Sequence, residues 1–251
     1  MPHPVLDPNY TDLSLQSLCA LAIMAKAPRP GKVKTRLSPP LTSEEAAAIN
    51  ICFLRDTTEN IGELADEGAC AGVISYTPVG DEHLFDGILP RGYRLVAQRG
   101  DGFGERLLTT AQDLFAHGFA SVCLIDSDSP TVPREVFSMA VDALREDGDR
   151  VVLGPSHDGG YYLIGMKQPH PEIFENITWS TASVFAETAA AVREIGVELV
   201  ILPTWYDVDD AETLTILRSE LLDSLRPEFI SLRGYPAEHT KSFLRQLHIS
   251  V

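Results

Sequence analysis

Seven short apolar runs, at 18–24, 71–76, 93–97, 121–125, 150–154, 161–166 and 197–202, are bounded by turn-forming residues and recur along nearly the whole chain. Runs apolar at successive positions, with no polar alternation, read as strands covered on both faces. Between them lie segments of helical period: Ile49, Phe53, Thr57, Ile61 and Leu64; Leu107, Leu108, Ala111, Leu114 and Phe115; Val136, Phe137, Ala140, Val141 and Leu144. Each lays its apolar residues along one helix face. Two later helices are predicted over 181–195, capped by Ser180, and 210–225, capped by Asp209. Strand and helix in alternation predict a parallel-dominated α/β sandwich. The runs at 150–154 and 161–166 are separated only by PSHDGG, too short for a helical crossover. One of that pair runs antiparallel or the two are not neighbours, so the sheet is mixed and mostly parallel. Three segments are expected: an extension over 1–17, one domain over 18–225, and a tail over 226–251, which holds Pro227 and Pro236 and reads as irregular with a short helix.

Charge narrows the class of partner. The 251 residues carry 20 Lys and Arg against 36 Asp and Glu, a net charge of −16, which disfavours binding to a nucleic-acid backbone. Yet the stretch 18–37 contains no acid and gathers Lys26, Arg29, Lys32, Lys34 and Arg36. So compact a basic patch suits a small anion. The longest apolar stretch is far shorter than a membrane span, and no basic leader precedes it, so the expectation is a cytoplasmic protein without a membrane partner. Cys19, Cys52, Cys70 and Cys123 show no CxxC or CxxH spacing and read as buried free thiols.

Five segments can carry chemistry. In AKAPRPGKVKTRL, after the first strand, Pro28, Pro30 and Gly31 hold a non-helical turn surrounded by Lys26, Lys32, Lys34 and Arg36, with Thr35 adding a hydroxyl. Phosphate oxygens need such donors at the carboxyl end of a strand, and the GxxxxGK[ST] spacing of a Walker loop is absent. In VCLIDSDSPTVP a fully apolar strand ends in Asp126 and Asp128, two carboxylates able to hold Mg²⁺ or Mn²⁺ against a diphosphate. In LPTWYDVDDAETL one of Asp207, Asp209 and Asp210 serves as a helix cap, leaving the others to complete a metal site. PSHDGGYYLIG places Asp158, Gly159, Gly160, Tyr161 and Tyr162 where backbone and rings can meet an acceptor, though turn glycines explain it almost as well. QRGDGFGERL offers Gln98 to a base edge and Gly100, Gly102 and Gly104 for close backbone approach. No GxSxG elbow or Ser/His/Asp set stands out.

In this order, and with the WST at 179–181, these segments resemble a bacterial family of GT-A-like transferases associated with radical-SAM and selenodomain proteins. More distantly the chain is similar to 2-phospho-L-lactate guanylyltransferase and the molybdenum-cofactor nucleotidyltransferases. The resemblance implies a nucleotide-diphospho-sugar transferase fold, a three-layer α/β/α sandwich with the nucleotide over the strand ends. It implies that Lys34 and Arg36 grip nucleotide phosphates, that Asp126 and Asp128 form the metal-binding DxD, and that Asp207 and Asp209 form the late acidic pair. The first loop departs from the family's relatives: Ala25, Pro28 and Pro30 stand where sugar-nucleotide pyrophosphorylases have a glycine core. The leading expectation is metal-dependent nucleotidyl transfer from an NTP to a small phosphorylated acceptor. The alternatives are glycosyl transfer from a nucleoside-diphospho sugar and nucleotide binding without turnover.

Overall fold

A computed structural model describes residues 3–247. The seven apolar runs become β1 (Cys19–Lys26), β2 (Cys70–Thr77), β3 (Arg94–Ala97), β4 (Ser121–Ile125), β5 (Arg150–Pro155), β6 (Tyr161–Met166) and β7 (Glu198–Ile201). They form one sheet in the order β3-β2-β1-β4-β6-β5-β7. Only β6 is reversed: it runs antiparallel to both β4 and β5, while every other pairing is parallel. The short 156–160 connection leaves no length for a crossover, so the chain turns back at once, with a register shift at Gly154/Pro155. That reversal brings the start of β6 to the sheet edge where β1, β4, β5 and β7 end. All the carboxylate-bearing loops therefore meet at one edge.

Successive side chains of a strand point to opposite faces, and β1 shows the consequence. Leu21, Ile23 and Ala25 enter one buried cluster with residues of α1 (Ser43–Ala65), α3 (Arg134–Arg145), α5 (Ala211–Asp223) and α6 (Glu238–Gln246). Ala20 and Ala22 enter the other, with α2 (Phe103–His117) and α4 (Val184–Glu194). The result is the expected mixed, mostly parallel α/β/α sandwich.

Two helix starts differ from the sequence expectation. α5 is capped by Asp210, not Asp209: the Asp210 carboxylate accepts from the Thr213 amide at 3.0 Å within a reciprocal capping box. A cap of this kind contributes about 1 kcal/mol, and using Asp210 leaves Asp209 available. α4 begins at Val184 after Ser183, three residues beyond the predicted Ser180 cap, because Ser180 takes a left-handed backbone (φ 64°) inside a turn.

Both ends of the described chain are packed against the sandwich. Leu6 and Leu15 join the α2/α4 cluster, and Val5 bridges Leu95 at the β3 edge. Beyond α5, the irregular stretch and short helix α6 place Ile230, Ala237 and Leu244 in the larger core. Asp56 of α1 holds the start of α6, accepting from the His239 and Thr240 amides at 2.9 and 2.8 Å and from the Thr240 hydroxyl at 2.6 Å. The four cysteines are free thiols; Cys19, Cys70 and Cys123 are buried and Cys52 is half-buried. Among the described residues no helix is long and apolar enough to cross a membrane.

Candidate active site

Two adjoining cavities open at the sheet edge. The larger, about 440 Å³, has Asp126, Asp128, Ser156, Asp158, Asp207 and Asp209 on its polar side. Its other side is apolar, with Met24, Phe103, Leu107, Tyr161, Trp179 and Val184. The smaller, about 230 Å³, is the basic pouch expected of the first loop, lined by Lys26, Lys32, Lys34, Thr35 and Arg36 with Asn50 and Ser127. Arg36, Asp128 and Asp209 line both.

Each acidic side chain is fixed by its loop. Asp126 follows β4 directly; its carboxylate accepts from the Ser129 hydroxyl at 2.7 Å and the Asp128 amide at 3.2 Å. Burial pushes this carboxyl well above the ordinary carboxylate range, and the charges of Asp128 and Asp207 push it further. Asp207 accepts from the Ser156 hydroxyl at 2.7 Å and is also raised, by burial first and then by Asp158 and Asp209. Carboxylates gathered closely enough for like charge to raise Asp126 and Asp207 form a donor set of hard oxygens suited to a divalent cation. Mg²⁺ or Mn²⁺ therefore fits these residues in chemistry. Within the described residues, the only group of three potential ligands that lies within 4.8 Å of one another is elsewhere: Asp56, Glu59 and His239. Its Asp56 oxygens are already engaged in holding α6.

Lys34 lines the pouch, and its ammonium is engaged by acids. Its ammonium lies 2.9 Å from Asp128, 3.1 Å from Asp209 and 2.6 Å from the Val208 carbonyl, and its side chain is only 5% exposed. The Phe53 ring covers it at 5.6 Å. Burial lowers this ammonium, but the charges of Asp128 and Asp209 outweigh burial and hold it above the ordinary lysine range. Arg36 is the open cation of the pair: 69% exposed, with Asp209 at 3.4 Å and Asp210 at 3.7 Å.

The glycine-rich segments differ from the expectation. Gln98 does not line the cleft; its amide donates to the Ser75 carbonyl at 2.8 Å, across the β2/β3 end. Gly100 and Gly102 also lie outside it, and only Phe103 and Leu107 of this segment reach the wall. A Cβ on Gly104 would fall 2.7 Å from the Trp179 indole nitrogen and 2.8 Å from the Phe174 carbonyl, so the missing side chain admits Trp179 to the wall. Gly159, at φ 95°, would put a Cβ against the Ala182 carbonyl and thus seats the 180–182 turn against the turn before β6. The amides expected to meet an acceptor are used internally: Gly159 donates to the Ser156 carbonyl at 3.1 Å and Gly160 to Asp158 at 2.8 Å. Gly160, Tyr161 and Tyr162 all line the cleft; the buried Tyr162 donates its hydroxyl to the Pro203 carbonyl at 2.8 Å, and the Tyr161 hydroxyl is buried and unpartnered.

Several lining residues had no sequence assignment. Trp179 touches Phe103 edge-on at 5.1 Å and Tyr161 at 6.4 Å, making an aromatic corner. Its WST segment was noticeable but carried no chemical signal. Ser156 is a serine at a strand end, indistinguishable from any turn serine. Asn50, 4% exposed with its amide oxygen unpartnered, sits among apolar helix positions, and that misfit was its one available signal.

The described fold matches a known structure. A Desulfovibrio desulfuricans G20 protein, named "putative nucleotide-diphospho-sugar transferase", superposes with a TM-score of 0.75 at 30% identity, covering 91% of this chain and 97% of its own. The chain belongs to that protein's family. Residues 60–181 also match the family described as "Uncharacterized protein conserved in bacteria (DUF2064)". The fold extends to more distant structures at 12% identity. A CMP:2-keto-3-deoxy-manno-octonic acid synthetase complexed with CTP matches over 83% of this chain and 100% of its own, TM-score 0.52. The bifunctional IspDF from Campylobacter jejuni matches over 79% of this chain and 54% of its own, TM-score 0.51. No curated protein matches the sequence.

Proposed function

We propose that this protein is a Mg²⁺- or Mn²⁺-dependent nucleotidyltransferase that moves an NMP group from an NTP to a small phosphorylated acceptor. The observation that carries this reading is the sharing of Arg36, Asp128 and Asp209 by the basic pouch and the acidic cleft. A polyphosphate lying in the pouch would reach the cleft at the carboxylates. The names of the similar structures, a putative nucleotide-diphospho-sugar transferase and a CTP-bound synthetase, support a nucleotide substrate. The chain's net charge of −16 supports small-molecule rather than nucleic-acid substrates, in keeping with a cytoplasmic enzyme.

In this reading Lys26, Lys32, Thr35, Arg36 and Ser127 bind phosphate oxygens, Arg36 offering a planar fork. Asp126 and Asp128, with Asp207 and Asp209, would hold the divalent cation, which supplies charge compensation for the triphosphate. The nucleotide base lies toward Phe103, the one residue of the 98–104 turn that lines the cleft, and the acceptor lies toward Asp158. An acceptor phosphate oxygen attacks the α-phosphorus in line; the new P–O bond forms as the bond to the β-phosphate oxygen breaks, and pyrophosphate leaves. The chain's part is to align the two substrates and to stabilise the charge on the departing pyrophosphate.

A second reading, glycosyl transfer from a nucleoside-diphospho sugar, is favoured by Lys34: with its ammonium on Asp128 and Asp209, one cation of the pouch is already paired. A diphosphate needs less compensation than a triphosphate. Incubation with each NTP and each nucleoside-diphospho sugar, Mn²⁺ and a panel of phosphorylated acceptors separates the two. Acceptor-dependent release of pyrophosphate is expected; acceptor-dependent release of nucleoside diphosphate would replace the first reading by the second. Arg36→Lys should weaken nucleotide binding by roughly tenfold, as a bidentate fork becomes a point charge.

A further inference from the structure

The position of Lys34 is unusual in two independent ways. Its backbone is left-handed (φ 47°, ψ 37°), a conformation that a lysine adopts only when its surroundings impose it. Its ammonium is shut between the Phe53 ring and two carboxylates from different loops, Asp128 after β4 and Asp209 before α5. The Val208 carbonyl at 2.6 Å completes the contacts. Lys34 also lines the basic pouch, so one side chain both borders the pouch and holds two carboxylates of the cleft.

We propose that Lys34 is a positioning residue whose ammonium occupies the Asp128 and Asp209 oxygens and must leave them before a divalent cation can use both. This rests on the reading of the Asp126, Asp128, Asp207 and Asp209 group as the metal seat. A cation and an ammonium cannot share the same inner oxygens, since like charges a few ångströms apart repel strongly where solvent is scarce. Cation entry therefore turns the lysine out. The pouch lined by Lys26, Lys32 and Arg36 is the space it already borders, and there its charge adds to theirs. Metal binding would thus raise the positive charge facing the phosphates, and phosphate in the pouch would in turn favour the displaced lysine. The two ligands reinforce each other through one side chain, and the coupling is reciprocal. Without a cation, the lysine ties the loop after β1 to the loops after β4 and β7.

Two measurements test this, neither needing turnover. Mn²⁺ binding without nucleotide, followed by the electron-paramagnetic-resonance signal of the free ion, compares the full chain with Lys34→Met and Lys32→Met. Lys34→Met should bind Mn²⁺ about tenfold or more tightly, and Lys32→Met, which removes a charge that does not touch the carboxylates, by less than about threefold. Amine acylation of the unaltered protein, read by mass spectrometry, makes the test independent of how the variants fold. Lys34 should be protected without Mg²⁺ and become labelled with it, while the exposed Lys32 reacts alike in both. Lys34→Met binding Mn²⁺ no more tightly than the unaltered chain, or Lys34 labelling indifferent to Mg²⁺, would overturn the proposal while leaving the metal seat standing. Absence of Mn²⁺ binding in every form would overturn the proposal and the metal seat together.

Discussion

Asp126 shows how a single residue can be set against the stability of the fold that holds it. Its carboxyl takes up a proton more readily in the folded protein than in the unfolded chain, because burial and the neighbouring charges of Asp128 and Asp207 disfavour the anion. The folded state therefore holds more protons between the ordinary carboxylate range and the raised value, and stability falls as pH rises through that window. Asp126→Asn removes the buried charge while keeping an acceptor for Ser129. The variant should melt at a higher temperature than the unaltered protein at about pH 7 with divalent ions chelated, and the difference should shrink toward about pH 4, near the unfolded carboxyl value. A thermal melt series over pH checks this; an Asp126→Asn variant less stable at neutral pH would mean that the carboxylate is compensated within the protein. Improved stability at the expense of function is the signature of a group retained for chemistry rather than for folding.

At the scale of elements, the aromatic corner depends on residues that touch no ligand. Gly104 lies in the first turn of α2, and a methyl group there would meet the Trp179 indole and the Phe174 backbone. Gly104→Ala should push Trp179 out of the cleft wall, visible as a red shift in its fluorescence, with a loss of stability of about 1–3 kcal/mol from overpacking. An unchanged emission spectrum would show that the wall does not depend on that contact. The same pair explains what the sequence could and could not reveal. The inner strands were legible because a strand buried on both faces has nowhere to put a polar side chain; β7 was legible from its apolar run alone, although it lies at the sheet edge with Ile201 exposed. The acidic loops were legible for a related reason: Asp126 and Asp128 stand just past four apolar residues, Val122 to Ile125. The glycines of 98–104 were legible as glycines, but Gly104 was not legible as the space for Trp179, since that partner lies far away in sequence. Lys34 looked like its neighbours Lys32 and Arg36. Its partners at 128 and 209 come from other strand ends, and only the fold brings them within ion-pair distance.

At the scale of the whole molecule, the stretch after α5 bears on the site through the loops beneath it. The Tyr235 amide donates to the Thr131 carbonyl at 2.9 Å, and the Thr131 hydroxyl accepts from the Trp205 indole at 3.1 Å, linking the strap to the loops that carry Asp128 and Asp207. Phe229 stacks on His157 at 3.8 Å, beside Asp158. Deleting residues 226–251 would remove Ile230 and Leu244, each worth about 1.5–3 kcal/mol of burial, from the larger core. A fall in melting temperature on the order of 10 °C is expected. A truncated chain that melts with the full one would make the strap an accessory. The account as a whole rests on nucleotide phosphates and a divalent cation meeting where the basic pouch joins the acidic cleft. Calorimetric titration of nucleoside triphosphates with and without Mg²⁺, on the unaltered chain and on Asp126→Ala, tests that most directly. Binding that requires Mg²⁺ and is lost in Asp126→Ala is the predicted result; binding indifferent both to Mg²⁺ and to Asp126, or no binding of any nucleotide, would contradict it.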